Sequence, residues 1–193
     1  MANSKRRCTK CKTYEPIENG ITTPLGFFCS HLCKLNYVID SGNKSKIQDV
    51  AKKLTKSRAK TKKESLKTVA NYKSELQVIF NKWIRLTDKN QPCISCQRHH
   101  TGQYHAGHYR SRGSCPELRY EPDNCFKQCA PCNNHLSGNL INYRINLINK
   151  IGLPRVEWIE GPHDPKKYTI DDLKELKTVY KAKIKHLEQE LAA

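Results

Sequence analysis

Apolar positions in this chain are sparse, and their spacing changes from one stretch to the next. Ile47, Val50, Ala51 and Leu54 recur at helical spacing, and Leu66, Val69, Ala70, Leu76, Ile79, Phe80, Trp83 and Leu86 trace a second stripe. No Pro or Gly interrupts between Gly42 and Gln91, so this region reads as one long helix or two consecutive ones. Residues 104–109 and 124–128 read as two short strands joined by a polar loop. A helix opening at Asn133 then carries Leu136, Leu140, Leu147, Ile148 and Ile151 on one face, stopped by Gly152 and Pro154. Residues 155–159 read as a short strand and 161–165 as a turn. Thr169, with Asp172 three residues on, has the form of a capping box opening a final helix. Its stripe of Leu173, Leu176, Tyr180, Ile184, Leu187 and Leu191 either docks on the chain's own core or pairs with a second copy. No run approaches the ~20 apolar residues needed to cross a bilayer, which excludes a membrane span.

Charge and cysteine content change this picture. The 193 residues carry 35 Lys and Arg against 18 Asp and Glu, a net +17. Such an excess points to a polyanionic partner, because cations that neutralise phosphates release condensed counterions. The excess is concentrated between residues 44 and 74, where eleven Lys or Arg face only Asp49 and Glu64. Lys52, Lys53, Lys56, Arg58, Lys60, Lys62 and Lys63 are the expected phosphate-tracking cations of that stretch. Ten cysteines without an apolar leader point to metal in a reducing cytoplasm rather than to a disulfide scaffold.

Eight of the ten cysteines fall into knuckle pairs. Cys8 and Cys11 are separated by 17 residues from Cys29 and Cys33, and the interval holds Gly20, Pro24 and Gly26, the marks of a hairpin and turn. Cys93 and Cys96 are separated by 32 residues from Cys129 and Cys132. Each set has the ligand number of a closed, structural zinc site. A unit as small as the first would draw much of its stability from the metal. His31 lies between two ligands and is expected to face solvent, while Cys115 and Cys125 are expected to be core or loop thiols. The chain is therefore expected to be a small, zinc-stabilised α+β protein in four segments. These are a zinc unit (1–40), a basic helical connector (41–90), a zinc-stapled strand–strand–helix domain (91–155) and a C-terminal strand, turn and helix (156–193).

Between the second pair of knuckles, the order strand, loop, strand, knuckle, helix brings His105, His108 and Asn133 within reach of one another. Residues 93–151 thereby resemble the HNH, or ββα-metal, nucleases whose hairpin and helix are stapled by a four-cysteine zinc. That resemblance implies His108 as general base, Asn124 as the residue holding the histidine loop, and Asn133 as a helix-borne ligand of a catalytic Mg²⁺ or Mn²⁺. The family commonly places a metal-binding Asp or His directly before the base. Gly107 stands there instead, so His105 is taken as the substitute ligand, with His135 a further candidate. Arg110, Arg112 and Arg119 on the loop are expected to contact phosphate.

Over its whole length the chain resembles the NinG (Rap) recombination proteins of lambdoid phages. The likeness is carried by the Cys8/Cys11/Cys29/Cys33 opening, the lysine-rich connector, AGHYRSRG at 106–113 and QCAPCNNHLSGN at 128–139. It implies an endonuclease on branched recombination intermediates such as D-loops and Holliday junctions, a homodimer, and a location in the host cytoplasm. The competing expectations are a non-catalytic zinc module that binds DNA or RNA, and a ribosome- or RNA-associated zinc protein. A histidine base beside an open metal site separates the first from these, because binding alone has no use for it.

Overall fold

The computed structural model describes residues 4–192, which divide into two compact units, Met1–Leu66 and Lys67–Ala193. In the first unit, strands β1 (Lys5–Arg7) and β2 (Tyr14–Pro16) form one antiparallel pair. Strands β3 (Ile21–Thr23) and β4 (Gly26–Phe28) form a second. Helix α1 (His31–Ile39) follows, with Ser30 as N-cap accepting from the Cys33 amide. Its core is very small: Cys8, Phe28 and Tyr37, with Leu25, Cys29 and Cys33 against them. His31 is exposed, as expected. Helix α2 (Lys44–Ser65) carries the lysine-rich sequence, and none of its residues is buried.

The long apolar run does not continue as one helix. Helix α2 stops at Ser65, and α3 (Val69–Thr87) starts anew from Thr68, whose hydroxyl and amide exchange hydrogen bonds with Asn71. This capping box supplies the helix start, and it leaves Leu66 70% and Val69 37% exposed. The inward face of α3 is instead Tyr72, Leu76, Phe80 and Ile84, at strict i, i+4 spacing.

The second unit is built around one two-stranded antiparallel sheet, β5 (Tyr104–His108) against β6 (Cys125–Cys129), registered so that His108 faces Cys125 and Tyr104 faces Cys129. Pleating sends alternate side chains to opposite faces. Ala106 and Cys125 join a core with α3 and with α6 (Ile170–Glu190). Phe126 joins the other, with Tyr143 and Leu147 of α4 (Leu140–Ile151) and Val156 of α5 (Leu153–Glu160). Helices α3 and α6 run in the same direction, as the pairs Lys177–Glu75 at 2.5 Å and Lys82–Glu188 at 2.7 Å require. The apolar stripe of α6 is thus used within the chain: Leu173, Tyr180 and Ile184 are buried, and the Thr169–Asp172 capping box forms as expected.

Three elements depart from the sequence reading. Residues 155–159 are not a strand but part of α5, where Val156 and Ile159 are buried at a spacing of three while Trp158 is 45% exposed. Pro154 does not end a helix; it sits in the first turn of α5, where a missing N–H costs nothing. Nor does a continuous helix open at Asn133. Pro131–His135 forms a single π turn, closed by a bond from the Leu136 amide to the Pro131 carbonyl. Ser137, Gly138 and Asn139 then all take positive φ before α4 begins at Leu140. Leu136 and Leu140 are therefore 58% and 47% exposed, and the buried face of α4 starts at Tyr143.

Candidate functional site

Two four-cysteine clusters form, Cys8/Cys11/Cys29/Cys33 and Cys93/Cys96/Cys129/Cys132, each with its sulfurs within 4.8 Å of one another. Their first knuckles share one geometry. The residue four after the leading cysteine (Lys12, Gln97) has positive φ and returns its amide to that cysteine's carbonyl. The leading cysteine's own amide bonds the carbonyl five residues on, Thr13 in one knuckle and Arg98 in the other. Charge is unevenly held within each cluster. Burial opposes ionisation of Cys8, but the amides of Cys29, Cys11 and Lys10 outweigh it and bring the thiol to about 6. Cys29, bonded to Cys11 and Cys33, is pushed up to about 12. In the second cluster burial again opposes ionisation, yet the amides of Cys96, Cys129 and Ser95 lower Cys93, while burial pushes Cys129 to about 12. Sulfurs this close share negative charge poorly, and a dication replacing their protons removes the conflict. Both clusters are compatible with structural zinc.

Residues of β5, of the loop after it, of α3 and of the segment from Asn133 to Leu140 line a cavity of about 630 Å³. His105, His108 and Asn133 all line it, although the pleat sends the two histidines to opposite faces of β5. His108 Nε2 donates to the Arg119 carbonyl at 2.9 Å. A carbonyl can only accept, so this nitrogen carries the proton and Nδ1 keeps the lone pair, 3.6 Å from Cys125 Sγ. Burial lowers the His108 pKa below the usual imidazole value, and the charges of Arg112 and Arg119 add to this against the carbonyl bond. The ring is neutral at pH 7. Cys125 is itself wholly buried, which holds its thiol protonated.

Asn124 is buried and bonds both ends of the loop that follows β5. Its Oδ1 accepts from the Arg110 amide at 2.7 Å, and its Nδ2 donates to the carbonyls of Arg110 and Leu118 at 3.0 and 3.1 Å. His105 Nε2 is the one buried side-chain polar atom among the described residues with no hydrogen-bond partner. Asn133 lines the cavity and donates through Nδ2 to Asn134 Oδ1 at 2.8 Å. His135 is exposed and does not line the cavity.

Gly107 explains the missing ligand before His108. A Cβ there would lie 2.1 Å from Gln128 Oε1, and Gln128 is pinned by bonds from its Nε2 to Ser95 Oγ and the Gly138 carbonyl. Position 107 has no room for a side chain. His105, two residues back, is on the same face of the strand. Tyr143 fixes the hairpin from the α4 side, its hydroxyl donating to the Gly107 carbonyl and accepting from the Phe126 amide.

The loop arginines separate in role. Arg110 Nη1 donates to the carbonyls of Glu160 and Ile159, at 2.8 and 3.4 Å. Arg119 Nε donates to Gln77 Oε1 at 2.9 Å and is not among the cavity-lining residues. Only Arg112 of the three is exposed at the cavity. Asn81 and Arg85 of α3 also line it, and neither is marked in the sequence, where this stretch has only the pattern of a connecting helix. Among the described residues, no carboxylate lines the cavity. The expected cations at 52–63 are all exposed on α2, with Lys52, Lys56, Lys60 and Lys63 sharing one face at spacings of four, four and three.

Comparison with known proteins adds the following. A family model described as "Bacteriophage Lambda NinG protein" matches residues 1–190. "Protein ninG" of Escherichia phage lambda is 41% identical over 128 residues, covering 66% of this chain and 63% of the relative. "Protein ninG" of Escherichia phage 933W is 39% identical over 132 residues (68% and 66%), and that of Salmonella phage P22 is 40% identical over 128 residues (66% and 63%). The matched stretch spans just under two thirds of the length of these relatives. No solved structure matches the chain. Among the described residues, no helix is long and apolar enough to cross a membrane.

Proposed function

The chain belongs to the bacteriophage lambda NinG family, and from that premise we propose that it is a divalent-metal-dependent endonuclease acting on branched DNA in phage recombination. The observation that carries this reading is one cavity lined both by a neutral, proton-oriented histidine and by His105, whose buried Nε2 has no partner. Structural histidines of a plain binding module have both nitrogens satisfied or solvated. Here His105 keeps an unused donor for a cation.

Phosphodiester hydrolysis needs a base that is unprotonated near neutrality and positive charge around the phosphorane. To act as base, His108 Nδ1 exchanges its contact with the Cys125 thiol for one with water; it takes a proton from that water, the hydroxide oxygen attacks phosphorus, one P–O ester bond breaks, and the leaving oxygen takes a proton from solvent. Nε2–H stays on the Arg119 carbonyl, which stabilises the imidazolium as it forms. Asn124 keeps the loop that supplies that carbonyl against the strand that carries His108. His105 and Asn133 fit a catalytic divalent cation, Mg²⁺ or Mn²⁺, through one imidazole nitrogen and one amide oxygen. Both donors are neutral, so phosphate oxygens and water must complete the shell. When bound, that ion supplies Lewis-acid stabilisation of the leaving oxygen. The two cysteine clusters, having no open ligand position, do no chemistry. The basic face of α2 tracks phosphate, and branched intermediates and a homodimer are taken from the family likeness.

The test is His108→Ala in the full zinc-loaded chain. Mg²⁺- or Mn²⁺-dependent nicking of a synthetic four-way junction is expected to be lost, with junction binding nearly unchanged. Nicking at the parent rate would remove His108 as the base. A parent chain that binds the junction but cleaves no DNA with either metal would leave the non-catalytic zinc module as the function.

A further inference from the structure

The cavity has a second wall that the strand–strand–helix likeness does not include. Gln77, Asn81 and Arg85 of α3 recur at i, i+4 and i+8, so they form one polar stripe on a helix that is otherwise apolar toward the core. Gln77 and Asn81 are locked into a chain of hydrogen bonds, from Arg119 Nε to Gln77 Oε1 at 2.9 Å and from Gln77 Nε2 to Asn81 Oδ1 at 2.7 Å. Gln77 is buried, and Arg119 comes from the same loop whose carbonyl orients His108. Gln77 and Asn81 are thus tied to the loop that orients the base. At the end of the stripe stands Arg85, exposed, lining the cavity, and making no hydrogen bond or ion pair among the described residues.

Of the cavity's arginines, Arg110 is consumed by two backbone carbonyls. That leaves Arg85 from α3 and Arg112 from the loop after β5, which line the same cleft as His108, with no acidic group among the described residues that line it. Two guanidiniums with planar donor forks, lining one cleft and free of protein partners among the described residues, suit phosphate oxygens better than a role in stabilising the fold.

We propose that α3 is the second wall of the nucleic-acid cleft, and that Arg85 binds a phosphate of the strand being cut, with Arg112 as a second cation of the same cleft. This rests on the nuclease reading for the word "cut"; the phosphate contact does not. Arg85 is a binding residue on an element that supplies no chemistry, so its removal weakens binding without altering the base.

The experiment uses the full zinc-loaded chain and a fluorescent four-way junction with no added Mg²⁺ or Mn²⁺, and reads log K against log salt concentration by anisotropy. Arg85→Gln is expected to flatten the slope by about 0.7–0.9, the loss of one phosphate contact, with zinc content and circular dichroism unchanged. Arg85→Lys is expected to restore most of the slope. Lys82→Gln, on another face of α3 and paired with Glu188, is the charge-matched control and should leave the slope unaltered. A slope for Arg85→Gln equal to that of the parent, or an equal loss in Lys82→Gln, overturns the proposal. If the parent cleaves no DNA yet Arg85→Gln flattens the slope, the cleft stands as a binding site and only the nuclease reading falls.

Discussion

Replacing Gly107 by Ala is ordinarily a mild change in a strand. At an extended position it removes backbone freedom from the unfolded chain and stabilises by ~0.4–1 kcal/mol. Gly107 has no positive φ, so no backbone strain opposes the substitution. Sterics do. The new methyl would meet Gln128 Oε1 at 2.1 Å and Gln128 Cβ and Cδ at 3.0 Å. Gln128 is 1% exposed and donates to Ser95 Oγ at 2.6 Å and to the Gly138 carbonyl at 2.5 Å. If the strand shifts, the cost is that of overpacking, about 1–3 kcal/mol. If Gln128 shifts, two buried hydrogen bonds are lost at about 1 kcal/mol each, together with some strain. Set against the gain from the stiffer unfolded chain, the expected net loss is about 1–2 kcal/mol, opposite in sign to the usual effect. Urea denaturation followed by circular dichroism, with zinc present, measures it by linear extrapolation. In a Gln128→Ala background the cost should fall by more than half, since only the 3.0 Å approach to Cβ remains. A Gly107→Ala chain as stable as its parent would refute the packing account, and with it the reason for placing a metal ligand at 105 rather than 107.

Two further outcomes follow from the charge and metal geometry. Because burial holds His108 below the ordinary imidazole value and it must be unprotonated to act, the acid limb of kcat/KM should have its midpoint below that ordinary value. Arg112→Gln removes a positive neighbour, raises the His108 pKa and should move that limb to higher pH; a limb at or above 6.5 in the parent contradicts the assignment. Cys132→Ser should reduce bound zinc from two ions per chain to one, measured by elemental analysis, and unfold the unit from Lys67 onward, whereas Cys115→Ser, outside both clusters, should keep both ions. Retention of two ions by the Cys132 variant would show that the cluster is misassigned.

Features set by short-range chemistry were legible in the sequence. The cysteine spacings gave both clusters, Thr169 and Asp172 gave the start of α6, and strand alternation placed β5 and β6 to within one residue. Features set by competition between neighbours were not. The break between α2 and α3 depends on Thr68 winning Asn71 as a reciprocal partner, which looks like any Thr–Asn spacing until the helix is capped. Residues 155–159 alternate in polarity like a strand, but Pro154 at a helix start and the burial of Val156 and Ile159 decide otherwise. Asn81 and Arg85 lay on a stretch read as linker, and no local signal marks them. Only the packing of α3 beside β5 reveals that its polar stripe borders the same cavity as His108.

The geometry also accounts for how this chain can depart from the pattern it resembles and still offer a metal a ligand. Strand side chains alternate, so moving a ligand by one residue sends it to the wrong face, whereas moving it by two keeps the face and displaces it by one pleat repeat. His105 is the two-residue move from Gly107. The displacement demands that the rest of the cavity rim be placed to match, and here the cysteine cluster enters. Ser95, inside the Cys93–Cys96 knuckle, donates to the Gly138 carbonyl and accepts from Gln128, while its own carbonyl accepts from Asn146 of α4. One knuckle residue thus ties the strand bearing Gln128, the turn at 137–139 and the helix after it. The same Gln128 that forbids a side chain at 107 holds the rim opposite His105. The obstruction and the support are one residue, so a ligand at 105 and an obligatory glycine at 107 are two consequences of a single packing arrangement.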